Sequence, residues 1–181
     1  VKATAHHVFC TFPKRGRLYD AAIRSSEFYW NRPPDVPCQP GDRINAVITG
    51  EEIIGKTKYT TLNACALTPN PLLTCETGAT LPCTVLGTTA GGYLMRCGGA
   101  VGFLHCSEIM WQYCDQWHGV WKRGEKVSCR ILHLSPAEGG LLLGHRQTVG
   151  DPFLKHTPGV GSGYPATVRR SSDESVVVLL G

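Results

Sequence analysis

His105-Cys106-Ser107-Glu108 puts a base, two nucleophile types and an acid side by side in the chain. Catalytic pairs are defined by convergence in space, so adjacency alone carries no reaction. Cys106, Cys114 and His118 could be drawn around a zinc ion, but their spacing fits no common site and no fourth ligand is evident. No Walker-type phosphate loop occurs. The expectation is a protein that is not an enzyme, with no catalytic residue, no metal ligand and no cofactor. What remains is aromatic and basic. Phe103 stands two residues before His105 and would share its face on a strand. Trp111, Tyr113, Trp117 and Trp121 follow, and Phe28-Tyr29-Trp30 forms a second cluster.

These residues sit among short apolar runs bounded by glycine. Gly78 to Val85, Tyr93 to Arg96, Ala100 to Ile109, Lys126 to Ile131 and Leu141 to Arg146 read as strands. Cys97-Gly98-Gly99 suits a tight hairpin between two of them. Val127, Cys129 and Ile131 alternate with Ser128 and Arg130, so one face is buried and one wet. Val85 is expected to face inward with them. The fold class expected is all-β: a five-stranded antiparallel barrel, with the aromatic rings of the connection plugging its end or coating the connection.

The order of these elements resembles the RNA-binding repeat of the ribosomal protein S-one family, an OB-fold barrel. The matching features are the Gly78-led first strand, Gly91-Gly92-Tyr93, and Gly102-Phe103-Leu104-His105 with Ser107-Glu108-Ile109. Arg123-Gly124-Glu125-Lys126-Val127 and the leucine-rich fifth strand complete the match. Gly144-His145-Arg146-Gln147 followed by Asp151-Pro152-Phe153 resembles the linker between that family's successive repeats. The resemblance implies single-stranded RNA binding on one barrel face. Tyr93, Phe103 and His105 would lie at bases, and Arg96, Arg130 and Arg146 at phosphates. Stacking suits any base, and phosphate contacts add a salt-dependent term. The chain departs from the family pattern at Ala90, where an aromatic is usual. Pro136 and Gly140 stand where an acidic and a basic residue are often found.

Five segments are expected: a basic and aromatic extension over 1–37, a shrunken repeat over 38–77 and the complete barrel over 78–147. A linker over 148–163 and the start of a further repeat over 164–181 follow. Within the extension, Asp20 to Tyr29 suggests a short helix. The extension is either a solvated tail or a segment that orders on a partner. Gly41, Gly78 and Gly161 are each followed by apolar residues three, five and seven places on, as a repeated first strand would be. Tyr164–Val168 and Val176–Leu180 read as two strands. With two barrel contacts missing, attachment is expected to rest on the extension and on the segment after Gly161.

Formal net charge is +4, a mild basic bias compatible with RNA, and no run is long enough to span a bilayer. Nine cysteines, an odd number with no Cys-x-x-Cys and no secretory signal, suggest free thiols. The chain begins at Val1, as a mature product or a portion of a longer protein would. Expected partners are ribosomal or messenger RNA and neighbouring small-subunit proteins, with no membrane. The resemblance implies a structural constituent of the small ribosomal subunit. The cysteine content and degenerate repeats suggest the mitochondrial ribosome, with chloroplast or cytoplasm as alternatives. A free RNA-binding regulator or an exosome-type subunit is the other functional reading.

Overall fold

Hydrophobic alternation every two residues drives the chain into strands, and two sets of five strands result. The computed structural model describes every residue except 1, 5, 32–37, 113, 115, 156–158 and 181. The first set is β1 (Lys2–Ala3), β2 (His7–Lys14), β3 (Arg17–Arg24), β4 (Val47–Ile54) and β5 (Thr57–Asn63). The second is β6 (Thr80–Thr89), β7 (Gly92–Cys97), β8 (Ala100–His105), β9 (Lys126–Ser135) and β10 (Gly140–Gly144). The second set closes into a barrel as expected, in the order β10-β8-β7-β6-β9. Its neighbours are antiparallel except β8 and β10, which run parallel. Val85, Val127, Cys129 and Ile131 all face the core.

The barrel interior is filled by Tyr93, Met95, Leu104, Ile131 and Leu143. Gly102 sits opposite them, where a Cβ would come within 2.6 Å of Leu143 Cδ1. Trp117 and Trp121 plug one end, as the sequence suggested. Burying a side chain of this size stabilises the fold by about 1.5–3 kcal/mol.

The expected extension and shrunken repeat are together one module. Its strands run β1-β2-β3-β5-β4, the order and direction of β6-β7-β8-β10-β9 in the barrel. Here β1 pairs over Lys2 and Ala3 alone, and among the described residues nothing joins it to β4. The boundary expected near residue 37 therefore falls inside a structural unit. Asp20 to Arg24 belongs to β3, not to a helix, because the segment pairs with β2 on one side and β5 on the other, and Ala21, Ala22 and Ile23 are all buried there; Ser25–Glu27 then winds into a 3-10 turn. Gly41 (φ 94°) leads into β4 and so corresponds to Gly124 (φ 89°) before β9, not to Gly78. A left-handed glycine followed by alternation marks entry to any strand, and the sequence pattern could not distinguish first from fourth.

The inner face of the open sheet is covered by the outer wall of the barrel. Val8, Ala21, Ile23, Phe28, Tyr29 and Leu62 share one apolar cluster with Leu86 and Val101, and Leu94 packs against it. The aromatic cluster expected to dock on a partner thus docks within the chain: Phe28 and Tyr29 are buried and Trp30 is 40% exposed. Trp30 donates its backbone N–H to Gly99 O (2.8 Å) and its ring N–H to Thr68 O (2.9 Å). Asn31 bridges two backbone segments of the barrel with its side chain. Its side-chain amide donates to Val101 O (2.6 Å) and Gly139 O (3.0 Å), and it accepts from Val101 N (3.0 Å). Arg123 binds Asp42 across the same seam at 2.6 Å and also donates to Leu86 O.

The thiol expectation needs correction at one pair. Cys83 and Cys97 form a disulfide, while Cys10, Cys38, Cys75, Cys106, Cys114 and Cys129 are free thiols. The β6–β7 register sets the two cysteines directly opposite, 4.5 Å apart at Cα, within the span a disulfide bridges. Pairing depends on register, which cysteine counting does not reveal. Burial pushes the Cys129 thiol up to about 12, so it stays protonated.

Residues 150–181 form a separate compact unit. It holds α2 (Pro152–Lys155) and the antiparallel hairpin β11 (Ala166–Ser171) and β12 (Val176–Leu180). The first strand starts two residues later than expected, and part of the expected linker lies outside the described residues. The same sequence of turns follows both modules: after β5, a 3-10 turn at Cys65–Leu67 and α1 (Pro71–Thr74); after β10, a 3-10 turn at Arg146–Thr148 and α2. Asn70 caps α1 by accepting from Leu72 N (3.1 Å), and Pro71 takes the first helical position. No described helix is long and apolar enough to cross a membrane.

Candidate nucleic-acid interface

Strand alternation turns Phe103 and His105 outward from β8 while Leu104 between them is fully buried. Leu142 on the parallel neighbour β10 is in register with Phe103 and 46% exposed. His133 on β9 is opposite Leu142 and also exposed. On the other flank, Leu94 of β7 faces Phe103 but is partly covered by the open sheet. The strip therefore runs from half-buried Phe103 and exposed His105 across Leu142 to His133.

Local contacts fix the two rings. Phe103 meets His105 edge-on, with centroids 6.2 Å apart. Gly91 lies beneath both: a Cβ there would sit 3.8 Å from His105 Cδ2 and Phe103 Cζ. His105 Nδ1 accepts from Ser107 N (3.2 Å) and lies 2.8 Å from Ser107 Oγ. Accepting from a backbone N–H leaves the proton of the neutral ring on Nε2, as a donor. The strip can thus offer an aromatic face, an imidazole donor and apolar cover.

The other expected contacts are dispersed. Tyr93 is 0% exposed and is corrected to a core residue. Its hydroxyl donates to Trp117 O (2.6 Å) and accepts from Trp121 N (3.2 Å). Its ring meets both tryptophans edge-on at 5.6 and 5.4 Å. No base can reach it. Arg146 is corrected likewise: it bonds Glu108 (2.9 Å) and lies 5.0 Å over the Trp111 ring. Gln147 holds the other Glu108 oxygen at 2.5 Å. Arg130 is exposed but donates to Gly78 O (3.0 Å), pinning the left-handed entry to β6.

Arg96 lies on the outer face of β7 and lines a cleft of about 640 Å³ between open sheet and barrel, with Arg43, Arg123, Asp42 and Tyr29. Burial pushes the Tyr29 hydroxyl up to about 12, so it stays neutral at physiological pH. Burial would raise the Asp42 carboxyl, but the Gln39 amide and the Arg123 guanidinium outweigh it and hold the group below its ordinary value. The Pro136–Gly140 turn, where the family's polar pair is missing, is capped by Asn31 at Gly139.

His133 escaped the sequence reading. Strict alternation from Val127 through Ile131 would turn it inward, but a bulge opposite Leu142 and Leu143 inserts Leu132 and reverses the phase.

No family model matches the chain, and no curated protein matches it. Solved structures do. One is the a/eIF2alpha–aDim2p–rRNA complex from Pyrococcus horikoshii OT3, with 23% identity and TM-score 0.39, covering 41% of this chain and 46% of that one. The intact alpha subunit of aIF2 from Pyrococcus abyssi gives 24% identity and TM-score 0.38, covering 40% and 29%. GSP13 from Bacillus subtilis gives 20% identity and TM-score 0.39, covering 47% and 72%. The chain thus spans less than half of the first two. What the barrel shares with an OB-fold is its own strand order.

Proposed function

We propose that this protein binds single-stranded RNA through the outer strip of its closed barrel and works in the translation apparatus. The observation that carries it is the Phe103–His105 pair, fixed by backbone and glycine contacts on the outer face of β8, with His105 exposed and Phe103 half-buried. A base stacked on Phe103 would gain roughly 1–3 kcal/mol, with His105 Nε2–H as donor and Leu142 excluding water. The sequence resemblance to the ribosomal S-one repeat supports the same ligand class. It also supports the finer proposal of a small-subunit ribosomal protein, with the mitochondrial ribosome as its proposed location.

The test is fluorescence anisotropy with a labelled oligouridylate. Phe103→Ala with His105→Ala should weaken binding about tenfold or more, the equivalent of at least one lost stacking contact. Equal affinity of the double variant and the wild type would refute the strip as the site. Co-sedimentation with mitochondrial small subunits tests the finer proposal; a protein that binds RNA but stays in the soluble fraction is a free regulator instead.

A further inference from the structure

The β2–β3 hairpin is longer than its counterpart in the barrel. β3 ends at Arg24 before a 3-10 turn, and β8 ends at His105 before another, so the pair His7–Arg24 corresponds to Gly92–His105. Counting toward the tip, Phe12–Tyr19 corresponds to Cys97–Ala100, where the β7–β8 hairpin turns. The β2–β3 ladder continues through Pro13–Leu18 and Lys14–Arg17 before it turns. Two further pairs add about 7 Å of arm at ~3.4 Å per residue.

The added length carries a distinct chemistry. Lys14, Arg15 and Arg17 bring three cations into four residues, all exposed. None of them takes part in an ion pair among the described residues. At its base, Phe12 and Tyr19 stack with centroids 5.7 Å apart and planes 27° apart. Phe12 is anchored on the apolar cluster, while Tyr19 is 41% exposed. The turn itself places Arg15 at φ 48° beside Gly16 at φ 73°. Tight hairpin turns of this kind favour Asn, Asp or Gly at such positions. An arginine there sets a charge at the tip against local backbone preference.

We propose that the β2–β3 hairpin is a second RNA contact. Lys14, Arg15 and Arg17 hold backbone phosphates, and the ring of Tyr19, held flat by Phe12, takes a base. Charge complementarity selects a polyanion, and the stacked pair selects one with planar groups. Leu18 is the arm's one fully projecting apolar side chain, 72% exposed, which is little to insert into lipid. The inference rests on the proposed RNA-binding function but not on the Phe103–His105 strip.

The experiment measures RNA affinity of the full chain over a salt series, with the same oligouridylate. The arm variant combines Lys14→Gln, Arg15→Gly and Arg17→Gln. Glycine suits the left-handed turn, and an unchanged far-UV spectrum and melting temperature verify the fold. Three single-strand phosphate contacts at ~0.7 each predict that the slope of log affinity against log salt becomes shallower by about 2. Tyr19→Ala should weaken binding without changing that slope. An unchanged affinity and slope in the arm variant, while the Phe103→Ala/His105→Ala variant loses binding, overturns the arm and leaves the RNA function standing. A wild type that binds no RNA overturns both. Wild-type binding to phosphatidylserine vesicles that the arm variant loses, with RNA affinity unchanged, overturns it in favour of a membrane contact.

Discussion

The open sheet and the closed barrel have the same strand order and the same strand directions, yet they build their cores in opposite ways. The barrel wraps its inner face around itself and seals it with Trp117 and Trp121. The open sheet, with no β1–β4 pairing among the described residues, lays its inner face on the barrel's outer wall at Leu86, Leu94 and Val101. One topology therefore produces a self-sufficient core or a dependent one, according to whether the ladder closes. Docking the open sheet covers one part of the barrel's outer wall and leaves His105, Leu142 and His133 on another part exposed.

If the barrel core is self-sufficient and depends on its plug, Tyr93→Ala should have the largest effect on stability. Removing a fully buried aromatic ring costs roughly 3–5 kcal/mol. Chemical denaturation should show one large shift that carries both modules with it, since the open sheet loses its support. A loss below about 1 kcal/mol would mean that the plug is not integral to the core.

Ile23→Ala probes the dependent side. Ile23 is fully buried in the seam, so the cost is about 2–5 kcal/mol, but the barrel should survive it. Limited proteolysis should then remove residues 1–63 first and leave a resistant fragment beginning near Gly78. Simultaneous digestion of both modules would show that the barrel leans on the sheet as much as the sheet on the barrel.

The smallest effect belongs to the Asp42–Arg123 bridge across the seam. The Asp42 carboxyl is held below its ordinary value, so its contribution is present above the unfolded value of about 3.9. It is lost as pH falls through the lower folded value. With the Asp42 side chain 35% exposed, solvent screening limits this to below about 1 kcal/mol. Asp42→Asn should therefore be slightly less stable than wild type at neutral pH, and the difference should vanish once the pH has fallen below the lowered folded value. A gap that persists in acid would assign the loss to packing rather than charge.

Much of the barrel was legible because alternation and glycine placement are local. Val127, Cys129 and Ile131 alternate within one strand, and no distant residue is needed to say which way they point. That Phe103 and His105 share the outer face of β8 was legible for the same reason: they are two apart on one strand. Tyr93 was assigned by position in a pattern, and a pattern does not say whether a ring is sealed by Trp117. Arg146 looked free until Glu108 and Trp111 were beside it. His133 was hidden by a bulge, which shifts phase without any sequence mark as clear as a glycine.

The sequence by itself determined that the barrel is built of short strands bounded by glycine, and which face of the stretch from Val127 to Ile131 is apolar. Those properties follow from the two-residue period of an extended backbone and the conformations open to glycine. The tertiary structure alone decided which strands pair and in what register. It thereby decided that Cys83 meets Cys97 and that residues 1–63 make one module. It also decided which apolar faces cover each other. Strand pairing and sheet docking depend on contacts between residues far apart in the chain, and no local period encodes them.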